Sequence, residues 1–221
     1  MKTLYFCCMV NYEEDARQVA KFLLQINAII LQPNNPFTWA SGWKSPIYCD
    51  NRKVLSFPQI RTHIRMKICE IIKEKYPHAN VIAGVATGGI AIGSLVAEEL
   101  GLPFIYVRAS AKEHGKQNLI EGYYNQGQSV VVIEDLISSG RSSLSAVKAL
   151  RKEELNVRGL ISIFTYSFDL AEENFTKLNC EKISLCDYNI LLNEAVKSNY
   201  IEQKDIKLLD DWRKEPSTWN K

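Results

Sequence analysis

The run Val130-Val131-Val132-Ile133-Glu134-Asp135-Leu136-Ile137-Ser138-Ser139-Gly140-Arg141-Ser142 constrains the fold more than any other part of the chain. Four apolar β-formers in a row predict a strand covered on both faces, as in a parallel sheet. Helical spacing resumes after Ser142 at Leu144, Val147 and Leu150, so strand and helix are joined by a tight polar loop. Ser138, Ser139, Gly140 and Ser142 give that loop hydroxyls, a residue free to take positive φ, and amides at a helix N-terminus. Such a loop is a seat for a dianionic phosphate. Glu134 and Asp135 then stand above the phosphate, at the height of a sugar's hydroxyls. A hydrophobic strand ending in an acid is common to doubly wound proteins, whereas the ordered run of two acids, two apolar residues and Ser-Ser-Gly-x-Ser is far narrower.

Competing phosphate motifs are absent. No G-x-G-x-x-G follows a strand, and Gly84 and Gly89 lead into Ile90 rather than the Lys of a P-loop. A second glycine-rich loop, Gly84-Val85-Ala86-Thr87-Gly88-Gly89, joins a strand to a helix and would aim its amides at an anion beyond the sheet edge. A plain β-to-α turn packed by glycine is the alternative there. The segment from Tyr106 to Gly122 leaves a strand without an evident buried face and carries Arg108, Lys112 and His114. It reads either as a solvated hairpin or as a flap that closes on a departing polyanion.

The remaining periodicities predict an α/β sheet with an added amino-terminal portion. Asp15 is expected to cap a helix bearing Val19, Phe22, Leu23, Ile26 and Ile30. Gln32 to Asn51 has three prolines and no periodicity, hence a long connecting loop. Ile60, Ile64, Ile68, Ile71 and Ile72 mark a second helix, broken at Tyr76-Pro77. Strands are expected at Val81–Val85, Phe104–Val107, Leu160–Tyr166 and Ile183–Leu185, with a helix at Ile90–Leu100. This alternation is that of right-handed crossovers in one domain over 1–221, divided at about 15–56 and 57–210.

Charge narrows the function. Lys plus Arg number 27 against 25 Asp plus Glu, which gives no electrostatic basis for binding nucleic acid or a membrane surface. The apolar stretch Leu4–Val10 is short, lacks a cleavage site and runs into Tyr12-Glu13-Glu14-Asp15, so a cytoplasmic protein is expected. Cysteines 7, 8, 49, 69, 180 and 186 form no C-x-x-C pair and, with three scattered histidines, predict reduced thiols rather than a zinc site.

The acidic run resembles the donor signature of the type I phosphoribosyltransferases. Phe37-Thr38-Trp39-Ala40-Ser41-Gly42-Trp43-Lys44-Ser45-Pro46-Ile47-Tyr48-Cys49-Asp50-Asn51-Arg52 is similar to the amino-terminal substrate segment of the orotate phosphoribosyltransferases. The Tyr106–Gly122 segment is similar to their catalytic loop, and the likeness spans roughly Ala16 to Asp210. It implies a central, mainly parallel sheet flanked by helices, a small amino-terminal hood and a flexible flap. It also implies Mg²⁺-dependent transfer of ribose 5-phosphate from phosphoribosyl pyrophosphate to orotate, in a homodimer whose flap reaches the partner's site. Two anion loops suit a donor with phosphate at one end and pyrophosphate at the other.

By that resemblance, Lys112, Glu134 and Asp135 are catalytic. Arg108, Lys112, His114, Thr87, Gly88 and the residues from Glu134 through Leu136, Ile137, Ser138, Ser139, Gly140 and Arg141 to Ser142 hold the donor. Ser41, Gly42, Lys44, Tyr48, Cys49, Ser138 and Tyr166 hold orotate. Mg²⁺ would come mainly with the substrate, helped by Glu134 and Asp135 through water.

Three departures stand out. Ala109 and Ser110 replace a second flap Lys, Ala40 and Gly88 stand where some members carry Lys, and Phe164-Thr165-Tyr166-Ser167 lacks an Arg that some members aim at the orotate carboxylate. Amides near Ser41-Gly42 or the Lys44 side chain are alternatives for that task. Another acceptor base, or a non-catalytic donor-binding regulator, are the rival readings. With 221 residues there is no room for a decarboxylase barrel of about 200 residues or more, so a separate polypeptide is expected.

Overall fold

The computed structural model describes residues 12–38, 42–110 and 119–219. The chain begins with α1 (Tyr12–Gln25) and four short strands, β1 (Ile29–Leu31), β2 (Phe37–Thr38), β3 (Lys44–Ser45) and β4 (Ile47–Cys49). A 3₁₀ turn at Asn51–Ser56 leads into α2 (Pro58–Lys75), whose first residue is a proline that suits a helix start. There follow β5 (Val81–Val85), α3 (Gly88–Leu100), β6 (Phe104–Val107), β7 (Ile120–Glu121), β8 (Ser129–Ile137) and α4 (Arg141–Lys152). The remainder is β9 (Asn156–Thr165), α5 (Asp169–Lys177), β10 (Lys182–Asp187), α6 (Tyr188–Lys197) and α7 (Asp205–Lys214).

Six strands form one sheet in the order β10-β9-β8-β5-β6-β7. All neighbours are parallel except β7, which runs antiparallel along β6. Val130, Val131, Val132 and Ile133 are each 0% exposed, as a strand covered on both sides requires. Their side chains alternate between two cores. Val131 and Ile133 join Ile82, Ile161, Ile64 and Trp212 on one face, while Val130 and Val132 join Val81, Leu160, Val147 and Phe175 on the other. Burying each such side chain contributes about 1.5–3 kcal/mol, so this central strand is strongly held in register.

Chain order places the site. From β5 the chain moves to β6 on one side, and β8 then returns to the other side of β5. The carboxyl ends of β5 and β8 therefore flank a topological switch point, where ligands gather in open α/β sheets. On the amino-terminal side, β1 pairs antiparallel with β4 and β2 with β3, forming a nested pair of hairpins.

Several expectations are corrected. Asp15 lies inside the first turn of α1 rather than at its cap, and its carboxylate meets Lys67 Nζ at 3.1 Å. Ile30 belongs to β1, because Asn27 at φ 53° ends the helical course before it. The 32–51 stretch contains strands too short to produce a readable period. β8 continues through both acids to Ile137, since ladder pairing with β9 outweighs their poor strand preference. The flap segment does have a buried residue, Ile120 at 5% exposure, where β7 pairs with β6. Three helices, α5 to α7, stand where the sequence predicts none, and they bury Phe175, Tyr188 and Trp212. Among the described residues no helix is long and apolar enough to cross a membrane.

Candidate active site

The loop after β5 and the end of β8 close on one another without an intervening side chain. A Cβ at Gly88 would lie 2.1 Å from the Asp135 carboxylate, and one at Gly89 would lie 2.3 Å from the Ile133 carbonyl oxygen. Glycine at both positions lets the start of α3 rest directly on β8. This gives Gly88 a physical reason: a longer side chain there would have to displace Asp135. Thr87 stands immediately before α3 with helical backbone angles and no side-chain capping bond.

The two acids face different surroundings. Glu134 is 4% exposed, and its carboxyl accepts hydrogen bonds from Ser143 Oγ at 3.0 Å and from the Asp135 amide at 3.1 Å. Burial, reinforced by the neighbouring Asp135, pushes the Glu134 carboxyl up to about 9. Asp135 is half-buried, and its carbonyl oxygen accepts from Asn51 Nδ2 at 2.7 Å. Thus Asp135 lines the switch-point crevice against Gly88, while Glu134 braces β8 against α4.

Beyond them the loop turns at Gly140, whose φ of 75° is costly for a residue bearing Cβ. An added Cβ would also lie 2.8 Å from the Phe175 ring. The opening amides of α4 have no acceptor one turn earlier in the helix and carry its positive dipole end, with Ser138 and Ser139 half-buried beside them and Arg141 and Ser142 exposed. Two residues expected to contact the donor, Leu136 and Ile137, have their side chains packed within the protein. Ile137 is 0% exposed and its carbonyl accepts from the Tyr166 amide at 3.1 Å, while Leu136 packs partly buried on the core. Their side chains serve the sheet.

In the hood, the Phe37 and Tyr48 rings lie 5.7 Å apart, and Lys44 Nζ donates to Thr38 Oγ1 at 2.9 Å. The Cys49 thiol points to Asn51 Oδ1 at 3.4 Å, and burial pushes it well above the ordinary thiol range. It is a neutral packing group rather than a thiolate. Gly42 has φ 83°. Arg108 is half-buried at the base of the flap, with Nη1 3.7 Å from Glu121, and its amide donates to the Leu119 carbonyl at 2.8 Å. Ser41, Lys112 and His114 lie outside the described residues.

Tyr166, expected among the acceptor residues, has its side chain in the core. It is 2% exposed, with its ring 5.5 Å from Phe164, 5.2 Å from Phe168 and 5.8 Å from Trp212. Its period-2 neighbours in β9 are core residues, and it continues their inward face. Three residues without a predicted role do reach the site: Asn51 through Asp135, and Trp43 and Arg213 around a cavity of about 270 Å³ beside Ser138 and Ser139. Asn51 and Trp43 lie within the segment that carries the resemblance. No sequence signal distinguishes Arg213 from an ordinary surface arginine of α7.

Among the described residues no three His, Cys, Asp or Glu side chains cluster tightly enough to cage a metal. The half-buried Asp135 carboxylate offers hard oxygen donors, suited to a hydrated divalent cation that brings most of its ligands with it, whereas Glu134 is buried and protonated.

Comparison with known proteins agrees with this geometry. A family model described as phosphoribosyl transferase domain matches residues 51–197. An orotate phosphoribosyltransferase of Porphyromonas gingivalis is 52% identical over 201 residues, covering 91% of this chain and 96% of its own. Among solved structures, Leishmania donovani UMP synthase superposes with a TM-score of 0.76 at 26% identity, covering 91% of this chain and 43% of the larger one. The orotate phosphoribosyltransferase of Aeropyrum pernix superposes with a TM-score of 0.72 at 24% identity, over 83% of this chain and 99% of its own.

Proposed function

This chain belongs to the orotate phosphoribosyltransferases, a branch of the phosphoribosyl transferase domain family, and from that membership we propose how its residues share the reaction. The enzyme transfers ribose 5-phosphate from phosphoribosyl pyrophosphate to a ring nitrogen of orotate. The bond from the anomeric carbon to the pyrophosphate oxygen breaks, a bond to nitrogen forms, and orotidine 5′-phosphate and pyrophosphate leave.

One observation supports the assignment of roles: the loop after β5 closes on the end of β8 at the switch point, with the Asp135 carboxylate against the backbone of Gly88. The loop Ser138–Ser142 and the start of α4 hold the 5′-phosphate. The Thr87–Gly88 loop holds pyrophosphate at the other end of the donor. Asp135 faces the ribose between them, where its carboxyl meets the hydroxyls and counters charge developing on the sugar. Glu134 acts one layer deeper, as a strut that fixes where Asp135 stands. If Mg²⁺ is bound with the donor, Asp135 would help to hold it, and it would supply charge neutralisation for the leaving pyrophosphate.

The hood residues Gly42, Lys44 and Tyr48, with Ser41, border the acceptor. Arg108 anchors the flap, and Lys112 and His114 meet the pyrophosphate as the flap closes over the partner subunit's site in a cytoplasmic homodimer. Purified protein given Mg²⁺, orotate and phosphoribosyl pyrophosphate is expected to release pyrophosphate in step with orotidine 5′-phosphate. Orotate left unconsumed under those conditions would refute the reading.

A further inference from the structure

Orotate differs from uracil by a carboxylate, and withdrawing that charge from water requires a matching cation. The end of β9, Thr165–Ser167, offers none, and Tyr166 is buried in the core. Lys44 is exposed on the hood and already donates to Thr38. A cation does arrive from another element. The cavity of about 270 Å³ is bounded by Trp43 of the hood, Ser138 and Ser139 of the phosphate loop, Ser167 and Phe168 after β9, and Arg213 of α7. It is smaller than the about 300–1,000 Å³ typical of drug-sized sites, and so suits a single substituted ring.

Arg213 is placed as a receptor rather than as a surface charge. Its guanidinium carbon lies 5.6 Å from the centre of the Tyr188 ring, and Nη1 donates a long 3.4 Å hydrogen bond to the Ser167 carbonyl. Nε is buried with no hydrogen-bond partner, and no carboxylate among the described residues lies within ion-pair distance. A planar fork held by stacking, with donors left over, matches a carboxylate in two-pronged geometry. Two other charged residues, Lys214 and Asp169, line the cavity. Lys214 is exposed, with Nζ 3.8 Å from Asp211, and Asp169 stands exposed at the rim, at the start of α5.

We propose that Arg213 recognises the carboxylate of orotate, across a cavity it shares with Trp43 and the Ser138–Ser139 turn. The inference rests on the orotate transferase reading and adds the residue that selects this acceptor over uncharged pyrimidines. Trp43 supplies an apolar wall for the ring, and the serines bring the acceptor beside the donor's phosphate loop.

The test compares wild type with Arg213→Ala and Arg213→Gln. Losing a charge-assisted pair should raise KM for orotate by about ten-fold or more. Affinity for phosphoribosyl pyrophosphate, measured by titration calorimetry, should stay within about two-fold. Inhibition by uracil should be unchanged, because uracil has no carboxylate to lose. A folded variant with wild-type KM for orotate would overturn the proposal, as would an equal loss of donor affinity, which would put the guanidinium on the phosphate. If the alanine variant does not fold, the glutamine variant, shorter than Arg but still filling part of its space and keeping an amide donor, removes the charge, and its KM decides the matter. Wild-type protein that turns over phosphoribosyl pyrophosphate with another base but not orotate would overturn the acceptor assignment itself, a failure visible before any variant is made.

Discussion

Replacing Glu134 by Gln isolates the proton that the fold imposes on this side chain. Glu134 is buried at 4% exposure beside Asp135, and its carboxyl is pushed from an ordinary value near 4.5 up to about 9. A raised pKa in the folded protein means that its contribution to stability is complete below about pH 4.5. It is lost steadily as pH rises towards 9. Over that window the folded chain holds one proton that the unfolded chain has released, so stability falls by about 1.4 kcal/mol per pH unit on this account alone. Gln has nearly the same shape, accepts the Asp135 amide bond, offers a donor to Ser143 Oγ, and carries no such proton. Urea unfolding of both proteins at pH 5.5, 6.5, 7.5 and 8.5 should show the variant gaining on wild type by about 4 kcal/mol across the series, whatever constant offset the substitution introduces. Titrating groups remote from the Glu134–Asp135 pair cancel in the difference. Parallel stability curves would mean that Glu134 is ionised when folded, and its role as a neutral strut would have to be abandoned.

Gly140→Val should weaken binding of ribose 5-phosphate by at least about ten-fold, because Val is costly at positive φ and its Cβ would press on Phe175. Near-wild-type affinity in calorimetry would place the phosphate on another loop. Lys112→Ala should lower kcat by about 100-fold with a smaller change in donor affinity. Mixing it with Asp135→Asn subunits should restore partial activity if the flap works in trans, and confirmed mixed dimers without recovery would contradict that arrangement.

What could be read from the chain follows from how local the signal was. Val130–Ile133 announced a doubly covered strand because burial on both faces leaves an unbroken apolar run. Gly140 announced the tight turn after β8 because a positive φ favours glycine. The inner and outer sides of the acid pair were not legible: Glu134 and Asp135 are adjacent and chemically alike, and only the pleat of β8 sends one towards Ser143 and the other towards Gly88. The burial of Tyr166 was not legible for the same reason, since its face is set by register with β9's buried residues rather than by its hydroxyl. Arg213 was silent because it joins the cavity through packing of α7, some 46 positions along the chain from Ser167. The hood strands were hidden because two- and three-residue ladders are too short to have a period.

Asn51 gives the enzyme a property that none of its separate sites has. This side chain, 1% exposed, stands two residues after β4 and donates to the Asp135 carbonyl. The hood segment proposed to border the acceptor is thereby bolted to the strand end proposed to handle the donor. A lineage that drifted towards a new base by remodelling β4 would shift the ribose carboxylate along with it, and donor handling would suffer before selectivity improved. A hood transplanted from a relative should work only when its counterpart of β8 travels with it.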